Sequence, residues 1–384
     1  MDIRHYFNSV NFLQFTGRNN SNWKYSLGAV IEKKTRSITV QNIHKLDIAI
    51  VGAPFDSRKE KYISDAPDKI REEFYQLSKF ELNLNIADFG NLKLSNSVKG
   101  NYQALRDIVE FFSELNVVTI VIGGSQDLTF GINEAFKTNK LFSFSTIDAF
   151  LDIKKGKESF NSNNYLSRVF SSIPNLFQFG LIAYQSHYIA PELFSKTKGV
   201  NSNVRLGRLR DEITLAEPVL RNTDVLSFDI GAVKYSESPG GSSFSPNGLR
   251  SEEACQLAKF AGLSDRLKVF GLFEFELEND RQNITVKLAA QIIWYFLDGF
   301  LNRQDERPDI DSNHIMYQVE VKNIEKPIVF FKHNETKRWW MKVNTFENKP
   351  IYFGCSENEY IQAANNEIPE QWLKYIQKLD ELLK

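Results

Sequence analysis

Cysteine, histidine, surplus charge and long apolar runs are what this sequence is short of. Its two cysteines, Cys255 and Cys355, stand 100 positions apart in a chain of 384 residues. That spacing excludes a disulfide framework or a cysteine-rich metal knot and fits free thiols in a reducing, cytoplasmic setting. No stretch of about 18 consecutive apolar residues occurs, which argues against a membrane-spanning helix. The opening "MDIRHYFNSVNFLQF" has no basic region followed by an apolar segment, so no signal peptide is expected. With 47 basic against 48 acidic side chains the net charge is −1, and no bulk field would recruit nucleic acid or an anionic membrane. There are five histidines, and none lies between His44 and His187. Internal repeats and low-complexity tracts are absent.

What is present is alternation. Short runs rich in Ile, Val and Phe occur at "LDIAIVGAP", "VVTIVIGG", "LFSFSTIDA", "LFQFGLIAY", "VLSFDIG" and "LKVFGLFEF". Segments of helical period such as "APDKIREEFYQLSKF", "GNYQALRDIVEFFSEL" and "LRSEEACQLAKFAGL" lie between several of them. Continuous apolar strands alternating with helices predict a three-layer α/β/α fold around a mostly parallel sheet over residues 46–300. Residues 1–45 read as an N-terminal extension packed on that core, and 301–313, "LNRQDERPDIDSN", as a charged linker. Residues 314–384 read as a small β/α appendage, with strands "IMYQVEV", "KPIVFFK" and "RWWMKVN" and an amphipathic helix beginning near Pro369. Trp339 and Trp340 among basic residues admit two readings, a nucleic-acid platform or a half-buried strand, and the neutral charge favours the strand.

In parallel sheets ligands bind beyond the carboxyl ends of the strands. Three strand ends deliver side-chain oxygens there: Gln126 in "GGSQD", Asp148 and Asp152 in "DAFLD", and Asp229 in "SFDIG". A single Asp after a strand is most simply a helix cap or a turn closure. Three strand ends together favour a site. Converging buried carboxylates need a cation, and an oxygen-only set suits a hard ion such as Mn²⁺ or Mg²⁺.

These stretches resemble the arginase–agmatinase–formiminoglutamase family of ureohydrolases, and the resemblance runs over about residues 46–300. The family holds two Mn²⁺ ions with Gly-Gly-Asp-His, Asp-Ala-His-x-Asp and Ser-Phe-Asp-x-Asp, followed by a loop with Pro-Gly that ends in Gly-Gly-Leu. Here the matching segments are "GGSQ" (123–126), "DAFLD" (148–152), "SFDIG" (227–231) and "SPGGSSFSPNGL" (238–249). Glu274 in "GLFEFE" takes the place of a carboxylate that binds the substrate guanidinium. The departures are specific: of six ligand positions, Asp148, Asp152 and Asp229 are kept, while Gln126, Phe150 and Gly231 replace two histidines and an aspartate. No shifted histidine is available to replace the two that are missing. Where the family's acid–base histidine is expected, only Tyr165 or a neighbouring Asn is polar.

The resemblance therefore implies a ureohydrolase fold whose dinuclear site has been lost, acting as a binding, regulatory or scaffold protein. A pocket for a small amine or guanidino ligand would remain around Glu274. The alternative is a single-metal hydrolase of a guanidino or formimino C–N bond, with one ion on Asp148, Asp152 and Asp229 assisted by Gln126. A third reading makes the appendage a docking module for an unknown protein partner, which exposed Trp339 or Trp340 would favour. The family also implies a homo-oligomer. Around the site, Lys234 either balances the aspartates or is a solvated loop lysine. His187 either approaches the mouth or lies on the surface, and the loop carrying Gly240 and Gly241 covers the crevice. That loop lacks the spacing of a phosphate-binding loop.

Overall fold

The structure is a computed structural model, and it describes residues 3–8, 10–15, 22–33, 43–58, 64–345, 347 and 349–383. The expectations for residues 1–45 fall partly outside the described residues. Ten strands form the main sheet: β1 (Phe7–Asn8), β2 (Glu32–Lys33), β3 (Ile48–Ala53), β4 (Ile86–Leu92), β5 (Val118–Gly123), β6 (Phe142–Ile147), β7 (Leu176–Tyr184), β8 (Val200–Arg205), β9 (Val225–Asp229) and β10 (Val269–Phe273). Their order is β1-β4-β3-β5-β10-β9-β6-β7-β8, with β2 also paired to β4. Only β1 runs antiparallel to its neighbour.

The central strands are apolar at every position because both faces are covered. Successive residues go to opposite sides. Ile48, Ile50, Ile120, Ile122, Phe270 and Leu272 join one core, beside the helices α1 (Ala66–Phe74), α2 (Ser251–Gly262) and α3 (Ile284–Leu301). Ala49, Val51, Val121, Val269 and Phe273 join the other, where the helices at Val98–Glu114, Leu128–Glu134 and Tyr165–Ser172 pack. The 18-residue α3 is apolar and long enough to cross a bilayer, but ten of its side chains are buried, and it packs on α2 and α1. This is the three-layer α/β/α arrangement expected from the alternation.

The C-terminal strands β11 (His314–Val319), β12 (Ile328–His333), β13 (Trp339–Asn344) and β14 (Pro350–Cys355) form an antiparallel meander in chain order. The sequence reading found three of them. It missed "PIYFGC", whose Pro at the first position and Gly before the last residue weaken the strand pattern. Helices at Glu357–Ala364 and Glu370–Leu383 follow. The appendage docks through a stack in which Phe353 lies 4.3 Å from Tyr375 and 5.0 Å from Phe177 of β7. Tyr375 donates to Gln178 Oε1 at 2.7 Å, and Asn222 exchanges two hydrogen bonds of 2.8 Å with the Gly354 backbone. Trp339 and Trp340 are both buried at 4% exposure, which removes the support that exposed tryptophans would have given to a docking or nucleic-acid surface.

Because Tyr375 joins the appendage to the main sheet, Tyr375→Ala should lower stability by about 3–5 kcal/mol, as for other buried aromatic truncations. Urea denaturation followed by near- and far-ultraviolet circular dichroism tests this. The loss should come with release of the C-terminal helix rather than a local adjustment.

Candidate functional site

Four adjacent strands, β5, β10, β9 and β6, end side by side. In register, Asp229 pairs with Phe273, Phe228 with Ile147, and Leu272 with Ile122. The residues that follow these pairs are Gln126, Asp148, Asp229 and Glu274, so parallel pairing alone gathers them. The turn after β5 must pass close to the neighbouring backbone: a Cβ on Gly124 would lie 2.3 Å from the Phe55 carbonyl oxygen. Ser125 Oγ then accepts from Ser57 N at 2.9 Å, and Asp127 accepts from Ser57 Oγ at 2.9 Å and from the Tyr102 hydroxyl. These contacts fix the loop after β3 onto the turn after β5.

The crevice above these strand ends encloses about 590 Å³. Its acidic side is formed by Asp152, Asp229, Glu274 and Glu276, and its aromatic side by Phe150, Tyr188 and Phe244. Asp148 and Gln126 lie buried beneath it. Asp148 Oδ1 accepts the Phe150 amide at 2.8 Å, while Oδ2 is buried without a partner. Asp229 Oδ1 accepts the Gly231 amide at 2.6 Å. Gln126 donates its side-chain amide to Thr146 and Ser227 hydroxyls, both at 3.1 Å, and its Oε1 is buried without a partner. Phe150 stacks on Tyr188 with ring centres 4.5 Å apart.

Burial raises all four carboxyls, and neighbouring carboxylates add to it. Burial, then the charge of Asp152, pushes Asp148 well above the usual carboxylate range. Burial and the charges of Asp229 and Glu274 do the same to Asp152, and burial with Asp148 does so to Asp229. Glu274 is pushed up to about 7, with burial the main cause and Arg58 opposing it.

Arg58 is the residue that the sequence reading missed. It donates Nη1 to Glu274 Oε2 at 2.5 Å and to Glu276 Oε1 at 3.2 Å, and forks onto Asp56 through Nε and Nη2, each at 2.9 Å. Burial opposes its charge, but Glu274 and Asp56 outweigh that, and its pKa is raised. The available signal was "APFDSRKE", another strand end carrying charge next to the strand that supplies Gln126.

Several expected neighbours lie elsewhere. Lys234 pairs with Glu237 at 2.5 Å and does not line the crevice, so it does not balance the aspartates. Glu237 sits closer in sequence and on the same turn, and captures it first. His187 is exposed, with its ring against Tyr188, beside a shallow depression shared with Arg205 and Arg210. Tyr165 is fully buried behind the carboxylates, its hydroxyl 3.5 Å from Thr146 Oγ1, and Asn163 lines the crevice instead. Gly240 donates its amide to Thr285 Oγ1 at 2.7 Å, and Gly241 packs on Gly231. That loop covers the third strand end while its Ser242–Pro246 segment lines the crevice.

The arginase family model matches residues 46–298, which include every one of these strand ends. The chain belongs to the arginase family. Its members are hydrolases of amidine and guanidino C–N bonds. A formimidoylglutamase of Clostridium tetani is 25% identical over 280 residues, spanning 66% of this chain and 83% of its own. One from Lysinibacillus sphaericus is 21% identical over 259 residues, spanning 63% and 79%. Among solved structures, formimidoylglutamase from Bacillus subtilis superposes with a TM-score of 0.64 at 16% identity, over 75% of this chain and 95% of its own. Trypanosoma cruzi formiminoglutamase with two Mn²⁺ gives 0.60 at 18% identity, over 77% and 100%. These superpositions establish the arginase-like fold.

A carboxyl raised in the folded state takes up protons on folding. Its contribution to stability is complete below the unfolded pKa and lost as pH rises through the folded one. For Glu274 that window runs from 4.5 to about 7. The melting temperature should therefore fall between pH 5.5 and 8. An Asp148→Asn, Asp229→Asn variant should be more stable at pH 8 and show a flatter profile. Stability that rises over this interval, equally in both proteins, would refute the account of the cluster.

Proposed function

We propose that this arginase-family chain does not carry out dinuclear hydrolysis and that its crevice binds a small organic cation. The observation that carries this reading is at Gly231. Glycine supplies no ligating carboxylate there, and a Cβ would stand 2.9 Å from both Asp229 Oδ1 and Ser242 Oγ and 3.1 Å from the Ser243 amide, so a larger side chain would need those neighbours to shift. Two further positions agree: Phe150 is an aromatic wall against Tyr188, and Gln126 spends its amide on two hydroxyls. Among the described residues no group of three or more His, Cys, Asp or Glu side chains is disposed to hold a metal ion. The side chains present do not fit two ions. What persists is a surplus of carboxyls, Asp152, Asp229, Glu274 and Glu276 against Arg58 and Lys155, lining an open crevice beside aromatic faces that attract cations.

One observation favours a second reading. Asp148 Oδ2 and Gln126 Oε1 are buried acceptors without partners, and such orphans suit a single hard ion. A calorimetric Mn²⁺ titration of the chelator-stripped chain, beside an Asp148→Ala, Asp229→Ala variant, separates the readings. It is paired with assays for formamide or urea release from N-formimino-L-glutamate, arginine and agmatine. We expect no tight binding and no turnover. One ion lost in the variant, together with turnover, would establish the single-metal hydrolase. Two ions per chain would overturn both readings.

A further inference from the structure

We propose that Arg58 is a built-in occupant of the crevice's guanidinium-binding carboxylates, so that the native chain rejects ligands with a guanidinium head and admits those with an ammonium head. This deepens the cation-binding reading and rests on it.

The geometry is that of a filled subsite. Asp56 is fully buried and takes the Nε–Nη2 edge of Arg58 as a two-pronged fork, with the Arg58 backbone amide on the same Oδ1 at 3.0 Å. The remaining terminal nitrogen, Nη1, reaches Glu274 and Glu276. One planar cation thus meets three carboxylates in the charge-assisted contacts that carboxylates favour most.

Glu274 has no free edge left for another fork. Its Oε2 receives Arg58, and its Oε1 accepts the Gln126 backbone amide at 2.6 Å. Its backbone is held as firmly: φ is +71°, a left-handed conformation unfavourable for a non-glycine residue. Hydrogen bonds from Glu274 N to Gly124 O at 2.8 Å and from Ser242 N to Glu274 O at 3.0 Å maintain it. An incoming guanidinium would have to displace Arg58, whose loop is itself anchored by the contacts of Ser57 with Ser125 and Asp127.

The acidic groups left to a ligand are Asp152 and Asp229, both lining the crevice, with Phe150, Tyr188 and Phe244 as walls. They come from different strand ends, and Asp229 Oδ1 already accepts the Gly231 amide, which leaves Asp229 without a free two-oxygen edge for a planar fork. An ammonium, a compact charge with three divergent donors, suits such separated acceptors.

The test compares n-butylammonium with n-butylguanidinium by calorimetry on the full-length native chain and on Arg58→Ala, with Arg58→Gln as a second variant should the first fail to fold. Removing Arg58 should raise affinity for n-butylguanidinium roughly tenfold or more while changing that for n-butylammonium far less. Equal n-butylguanidinium affinity in native and variant proteins would overturn the role of Arg58 and leave the cation-binding reading intact. A gain for n-butylguanidinium in proteins that never bind n-butylammonium would uphold Arg58 as occupant but overturn ammonium selection. No binding of either probe by any of the proteins would overturn both proposals.

Discussion

Like charges brought out of water must be neutralised by protons, by a cation or by each other's absence, and this constraint governs the site. The sheet places Asp148, Asp152, Asp229 and Glu274 at the ends of adjacent strands, where burial and nearby carboxylates raise all four. Desolvation of such groups costs several kcal/mol each when nothing compensates. The structure answers it partly with Arg58 and partly with backbone amides, those of Phe150, Gly231 and Gln126. The residual demand is the ground on which the proposed cation-binding role rests.

The rest of the fold serves that arrangement. Gly124 allows the turn after β5 to lie against the Phe55 backbone, which brings the loop of Ser57 and Arg58 over Glu274. Gly241 packs on Gly231, and Asp229, Ser242 and Ser243 crowd the position where a further carboxylate would stand. Tyr188 turns Phe150 into part of an aromatic wall. On the far edge of the sheet, Phe177 and Val200 are covered by the C-terminal meander and its last helix, so the appendage completes the core there.

Much of this was legible in the sequence. Continuous apolar strands alternating with helices gave the layered parallel sheet, because burial on both faces leaves that pattern and no other. The strand-end position of Gln126, Asp148, Asp152 and Asp229 followed from parallel topology, and the family resemblance named the same residues and added Glu274. Less legible were the interactions that depend on loop paths. Lys234 went to Glu237, a turn neighbour, rather than to the aspartates. Tyr165 turned inward and Asn163 faced the crevice, a difference of two positions at the start of a helix. Arg58 was overlooked because its crevice partners Glu274 and Glu276 lie more than 200 positions away in sequence, and no periodicity marks a single long side chain crossing between two strand ends.

The most direct test is anomalous diffraction at the manganese edge from crystals of the full-length chain grown with excess Mn²⁺. The account predicts no pair of ions, no density beside Phe150 and Gly231, and the Arg58 guanidinium seated on Glu274. Two manganese peaks among Asp148, Asp152 and Asp229, with Arg58 swung out of the crevice, would contradict it.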